Sequence, residues 1–207
     1  MSRLALRLAA AGTLFLLAAR SAQAHHAMDG ELPASLGQGL LSGLAHPVIG
    51  LDHLAFIVAA GLIAGAAGVG LAMPLVFVVA SMLGVFLHLL ALDLPAAELV
   101  IAASVLAAGV LLAWGRATGG RGLWLALFVI AGLFHGYAYG ESIVGAEATP
   151  LLSYLAGLFV VQAAIGLGAA ALASNRSWTT VSLAPRLAGA VVMGIGVSAL
   201  AGQLIPG

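Results

Sequence analysis

Residues 46–53 read His46-Pro-Val-Ile-Gly-Leu-Asp-His53, and they place two imidazoles and a carboxylate in an otherwise apolar chain. Of the 207 residues, 63% are hydrophobic and only 7% are charged, whereas soluble domains carry roughly 25% charged residues. The composition therefore predicts an all-α integral membrane protein. Because ionisable groups are costly inside a membrane, each one in such a chain marks a candidate functional site.

The charged residues and the missing cysteines exclude several classes of function. The seven basic residues are all arginine, they are balanced by seven acids, and they form no basic patch for nucleic acid. The chain has no cysteine, so disulfides, thiolate metal sites and cysteine nucleophiles are excluded. It also lacks the Gly-x-x-x-x-Gly-Lys motif of nucleotide-binding loops. The expected partners are the lipid bilayer and a metal ion carried as substrate, with no fixed cofactor.

Residues 1–24 have the pattern of a secretory signal peptide, with a basic start, an apolar centre and the cleavage motif Ala22-Gln-Ala24. The alternative is an uncleaved anchor helix. Cleavage would leave His25 and His26 at the new N-terminus, where the amine and an imidazole could chelate a cation. The alternative for these two residues is a disordered polar leader.

Residues 25–207 are predicted to form a single polytopic membrane domain. About 20 apolar residues are needed to span a bilayer, so the short segment 35–49, which contains several glycines and Pro47, is expected to be broken or re-entrant. Six longer apolar segments follow, at about 51–70, 74–92, 95–114, 122–139, 151–173 and 187–205. Glycines four residues apart predict close helix packing within these spans. Such pairs are Gly61/Gly65, Gly132/Gly136 and Gly136/Gly140.

The arginines predict how the spans are oriented. Those of the mature chain fall in the connections after the third and fifth spans, at Arg116, Arg121, Arg176 and Arg186. The positive-inside rule makes these connections cytoplasmic, so both termini are expected on the periplasmic side of a bacterial inner membrane. The acids and histidines then lie in the outer half of the membrane or outside it. Their distribution predicts a cation-attracting vestibule that is open to the periplasm.

His46 and His53 are the principal candidates for a metal site, together with Asp52. On a continuous helix the two histidines would share one face, but Pro47 and Gly50 predict a break between them. Asp52 is expected either to ligate a metal or to hold an imidazole tautomer from outside the ligand shell. The alternative is that Asp52 caps the first span and that the histidines are hydrogen-bonded core residues.

His135 and Glu141 begin and end a second polar run, His135-Gly-Tyr-Ala-Tyr-Gly-Glu141. An imidazole and a carboxylate at the end of an apolar span predict a metal or proton role. The two tyrosines of this run, Tyr137 and Tyr139, could instead belong to an aromatic belt at the membrane interface.

Weaker candidate ligands are His88, Glu98 and Glu147, in addition to His25 and His26. Glu98 also fits an acid that the helix dipole favours at the start of a span. A set of imidazoles and carboxylates without thiolates suits nickel, cobalt, zinc or copper(II), and it suits calcium and magnesium poorly.

Three stretches of the chain resemble the HupE/UreJ family of nickel permeases, and they occur in the same order. They are His46-Pro-Val-Ile-Gly-Leu-Asp-His53, Leu94-Pro-Ala-Ala-Glu98-Leu-Val-Ile-Ala-Ala-Ser and Phe134-His-Gly-Tyr-Ala-Tyr-Gly-Glu141. The resemblance implies a small secondary transporter that brings nickel, or cobalt, into cells for enzymes such as hydrogenase and urease. It also implies a transport site that contains His46, Asp52, His53, His135 and a glutamate near position 141.

The chain departs from the family pattern at two points. The family's second motif usually reads His-Gly-His-Ala-His-Gly-x-Glu, whereas this chain has Tyr137 and Tyr139 at the later two histidine positions. Glu141 comes one position early, while Glu147 precedes Ala-Thr-Pro150 and is similar to the family's Glu-x-Pro continuation. The loss of two imidazoles would weaken metal binding or change the preferred metal.

The main functional hypothesis is a secondary permease, not an enzyme, that carries a divalent transition-metal ion from periplasm to cytoplasm. Nickel is favoured, and cobalt, copper(II) and zinc are the alternative substrates. A second hypothesis is a membrane-bound assembly factor that binds metal and passes it to an enzyme without transport. A third, less favoured, is a membrane metalloenzyme in which His and Asp ligands activate water. The sequence leaves the oligomeric state open.

Overall fold

A computed structural model of the protein describes residues 31–115, 120–174 and 178–205. Within these ranges the chain forms seven helices and no strand, which confirms the predicted all-α class. The helices are α1 (Leu36–Ile49), α2 (Leu51–Ala66), α3 (Met73–Leu89), α4 (Ala97–Ala113), α5 (Arg121–Glu141), α6 (Ala148–Ala173) and α7 (Leu183–Leu204). The predicted signal peptide, His25, His26, Arg116 and Arg176 lie outside the described residues.

The first two helices are one apolar segment that is broken at Gly50. They meet at an angle of 77°, and Gly50 between them has an extended conformation with φ −72° and ψ 98°. Pro47 lies in the last turn of α1, where a missing N–H and a bulky ring disfavour continuation of the helix. The predicted broken or re-entrant segment is therefore present, and the break falls inside the 46–53 motif.

The remaining helices occupy the same parts of the chain as the predicted spans. By length and composition, α5, α6 and α7 could each cross a membrane, and the bent pair of α1 and α2 would count as a fourth span. Helices α3 and α4 have 17 residues each, which is slightly less than the roughly 20 residues of an average span. The six spans thus stay a prediction, whereas the helices themselves are observed.

Helix α2 lies at the centre of the bundle and packs against α1, α3, α4, α6 and α7. The most extensive helix pairs are α3 with α5, α4 with α7, and α1 with α6. Glycines allow these close approaches: a side chain at Gly61 or Gly65 would collide with α6, and one at Gly132 or Gly136 would collide with α3. The prediction that these glycines serve helix packing is confirmed.

The bundle is apolar on its outside and carries its polar groups inside. Large apolar side chains are exposed along α3, α6 and α7, for example Leu83, Leu152 and Val191. The buried side chains with polar groups include Ser42, His46, His53, Ser81, His135 and Gln162, together with Tyr139 and Tyr154. This arrangement is the reverse of a soluble helical domain and fits a bundle surrounded by lipid.

We expect Gly136→Ala to destabilise the protein, because the new methyl group would overlap with the backbone carbonyl of Ser81 on α3. Overpacking of this kind costs about 1–3 kcal/mol. The matched control is Gly122→Ala on the same helix, where no atom lies within 4 Å of the added methyl group. Thermal unfolding in detergent should show a clear loss for the first variant only, and equal stability of the two would contradict the packing role of Gly136.

Candidate metal site

The three histidines of the two sequence motifs come together inside the bundle. His46 lies in the last turn of α1, His53 lies in the first turn of α2, and His135 lies in the second half of α5. Their exposed fractions are 8%, 7% and 0%. The ring centroids are 6.2 Å apart for His46 and His53, and 4.9 Å apart for His53 and His135. The structure thus joins the two motifs, which are separated by more than eighty residues.

The tautomer of His135 can be assigned from its hydrogen bonds. The Ser104 hydroxyl donates its only proton to the carbonyl of Ile101 at 2.7 Å, so its oxygen must accept the 2.9 Å hydrogen bond that it shares with His135 Nε2. His135 therefore carries its proton on Nε2, and its Nδ1 accepts a proton from His53 Nδ1 at 2.8 Å. It follows that the lone pair of His53 is on Nε2.

The tautomer of His46 follows in the same way. The Tyr154 hydroxyl donates its proton to the backbone carbonyl of Tyr139 at 2.8 Å. Its oxygen therefore accepts a hydrogen bond from His46 Nδ1 at 2.9 Å, and the Ser142 hydroxyl lies 3.1 Å from the same nitrogen. His46 thus has its proton on Nδ1 and its lone pair on Nε2.

These assignments define what the cluster offers to a cation. In these tautomers the lone pairs of His46 and His53 are on Nε2, and the Nδ1 lone pair of His135 accepts the proton of His53. Among the described residues, no group of three or more His, Asp or Glu side chains is already arranged to hold a metal ion. A cation that uses all three imidazoles must therefore open the hydrogen bond between His53 and His135.

Asp52 lies at the start of α2, next to the cluster but outside its hydrogen-bond network. Its Oδ1 accepts a 2.8 Å hydrogen bond from the backbone N–H of His53, which satisfies one of the unpaired N–H groups of a helix start. Its negative charge also acts on the His53 ring. The carboxylate therefore orients the first turn of α2 and favours positive charge at the histidines.

Helix α5 presents two different polar faces. His135, Tyr139 and Ser142 are spaced by four and three residues and face the histidine cluster, whereas Tyr137 and Glu141 lie on another face. Glu141, which was predicted to act beside His135, is therefore turned away from it.

The second face of α5 lines an open pocket of about 400 Å³ at the same end of the bundle. Its polar lining residues include His88, Glu98, Tyr137 and Glu141. The charges of Asp52 and Glu141 act on Glu98, so the three carboxylates create one negative region. The pocket gathers three of the candidate ligands into one vestibule outside the buried cluster.

The described arginines lie at the opposite end of the bundle. Arg121 starts α5, whose other end carries Glu141. Arg186 donates from Nε to the carbonyl of Ala113 at the C-terminal end of α4, whose other end carries Glu98. One end of the bundle thus carries the described arginines and the other carries Glu98 and Glu141. The sequence predicted this separation of charge.

Glu147, the alternative family glutamate, lies apart from the vestibule. It is exposed at the N-terminal cap of α6, and it does not line the pocket that contains Glu141.

Asp93 accepts a 3.3 Å hydrogen bond from the Tyr137 hydroxyl at the edge of the bundle.

Comparison with known protein families gave one match. The family model described as HupE / UreJ protein matches residues 13–199 of the chain. The chain belongs to the HupE/UreJ family. This finding confirms the resemblance of its three motifs. A search of curated proteins and a search of solved structures found no match.

In this HupE/UreJ protein, the side chains that hold the histidines were not predicted from the sequence. Ser104, Ser142 and Tyr154 are neutral, and serine and tyrosine are common in membrane helices. Two signals were available: Ser104 ends the second of the three family stretches, and Tyr139 and Ser142 have the spacing that places them on the helical face of His135. Nothing in the sequence pointed to Tyr154, which reaches His46 from α6.

We expect Ser104→Ala to let His135 adopt both neutral tautomers, because the substitution removes the acceptor for the Nε2 proton. In nitrogen-15 spectra of histidine-labelled protein, the His135 signals should show only the Nε2–H form in the wild type and a mixture of the two tautomers in the variant. The matched control is Ser81→Ala, which removes a buried hydroxyl without a hydrogen-bond partner in the described structure. An unchanged tautomer in Ser104→Ala would contradict the assignment.

Proposed function

We propose that the protein is a permease that carries a divalent transition-metal ion, with nickel as its main substrate, from the periplasm to the cytoplasm. The observation that supports this most directly is the buried cluster of His46, His53 and His135 in a multi-pass HupE/UreJ protein. Imidazole nitrogens are good ligands for nickel, cobalt, copper(II) and zinc. Buried groups of this kind in a membrane bundle typically mark an ion pathway.

The negative vestibule supports the direction of transport. A cation is attracted by Asp52, Glu98 and Glu141 before it reaches the buried histidines, because like-signed charges in a cleft raise the local concentration of their counter-ion. The arginine-bearing end of the bundle is the cytoplasmic end under the positive-inside rule. The cation would thus enter from the acidic, periplasmic end.

We expect His53→Ala to abolish saturable uptake of radioactive nickel into sealed proteoliposomes, because His53 links both motifs through its bond to His135. Cobalt, zinc and copper(II) as competitors should rank the substrates. Size-exclusion profiles of both proteins check that the variant folds. Nickel binding by the wild type without any flux, in vesicles of known orientation, would replace the permease by the assembly-factor hypothesis.

We expect Glu98→Gln and Glu141→Gln to raise the KM for nickel several-fold at low ionic strength, with little change in maximal rate. The vestibule acts through charge, so the effect should shrink as salt screens it over a Debye length of about 10 Å at 0.1 M. Glu147→Gln is the matched control, because Glu147 is an exposed acid at the same end that does not line the pocket. Equal KM values for all three variants would contradict the role of the vestibule.

A further inference from the structure

The hydroxyl group of Tyr139 is one of five buried side-chain polar atoms without a hydrogen-bond partner among the described residues, and its ring packs against two histidines of the cluster. The side chain is fully buried, and its oxygen has no hydrogen-bond partner among the described residues. The surrounding polar groups do have partners: His46 bonds to Tyr154 and Ser142, and His53 bonds to His135. A buried hydroxyl without a partner destabilises the folded state, so its retention calls for a physical reason.

Packing does not explain this hydroxyl. The ring of Tyr139 fills the space between the imidazoles, with centroid distances of 5.0 Å to His46 and 4.4 Å to His53. A phenylalanine ring would fill the same space without an unpaired oxygen. The backbone is also held in place independently, because the Tyr139 carbonyl accepts hydrogen bonds from Tyr154 and Ser142.

The surroundings of the hydroxyl favour a cation. The negative charge of Asp52 acts on it. Its ring packs against the imidazoles of His46 and His53, and the lone pairs of both imidazoles are on Nε2. Two imidazole nitrogens alone leave a divalent ion short of ligands, so an ion that reaches them keeps water molecules.

We propose that the Tyr139 hydroxyl oxygen accepts a hydrogen bond from a water molecule that the cation retains when it binds beside His46 and His53. Water bound to a divalent ion is polarised and is a strong donor, and a neutral phenol oxygen can accept from it without losing its own proton. Tyr139 is then a binding residue for a partly hydrated divalent cation. This inference rests on the proposed function, since it uses the same cluster, and adds a residue to it.

The test compares nickel binding by full-length protein in detergent, measured by equilibrium dialysis, for the wild type, Tyr139→Phe and Ser81→Ala. We expect Tyr139→Phe to raise the Kd about tenfold, as for other groups that hold a metal site from outside the ligand shell. Ser81→Ala removes another buried hydroxyl that has no hydrogen-bond partner among the described residues, and it should leave the Kd unchanged.

A second measurement separates binding from structure. Because the Tyr139 oxygen is unpaired without metal, the metal-free Tyr139→Phe protein should unfold at a temperature equal to or above that of the wild type. Loss of both metal-free stability and affinity would indicate a structural role and overturn the proposal, and so would an unchanged Kd.

These outcomes can be distinguished from failure of the proposed function. Nickel binding without flux would overturn the permease but would leave the comparison of Kd values valid. Absence of nickel binding by the wild type would overturn both.

Discussion

The hydrogen bond between the Nδ1 atoms of His53 and His135 is the constraint on which the site depends. An imidazole buried among apolar helices needs hydrogen-bond partners for its two nitrogens. Here His53 donates to His135, so each ring provides a partner for one nitrogen of the other. The chain of hydrogen bonds runs from His53 on α2 through His135 on α5 to Ser104 and the carbonyl of Ile101 on α4. It therefore fixes the positions of these three helices relative to one another at the site. Because each member has one proton to give, the direction of the whole chain is fixed, and with it the nitrogen that each ring can offer to a metal.

This network can form only if the helix backbones approach closely. Gly136 follows His135 directly and lies against the backbone of Ser81, which lets α5 settle into α3 with the imidazole facing inward. Gly43 does the same for α1 against α6 near Tyr154, the partner of His46. At the break between α1 and α2, a side chain on Gly50 would lie 2.8 Å from Cδ2 of His53. Small residues therefore determine the geometry of the site as much as the ligands do.

The sequence predicted those features of the fold and the site that depend on composition or on a few neighbouring residues. The all-helical class follows from composition, the break at Gly50 follows from Pro47 and Gly50, and the histidines stand out because imidazoles are rare in apolar spans. The partners of the histidines could not be predicted, since a serine or tyrosine in a membrane helix has many uses. That Glu141 does not face His135 also lay beyond the sequence. Six residues along a helix place two side chains about 120° apart, and only the helix boundary at Glu141 shows that the helix continues that far.

The two sides of the histidine cluster are unequal, and this inequality limits how a permease could work. Towards the acidic end lie Asp52 and the vestibule. On its other side His135 contacts the rings of Phe56 and Phe77, with centroids at 4.7 Å and 5.6 Å, and beyond them the core is apolar. Under the proposed function, a cation released towards the arginine-bearing end would meet these two rings, which belong to α2 and α3. Because α3 packs closely against α5 at Gly136, a movement that separates the two rings would change the packing of α2 against the α3–α5 pair. Helix α2 is also the helix that the break at Gly50 separates from α1.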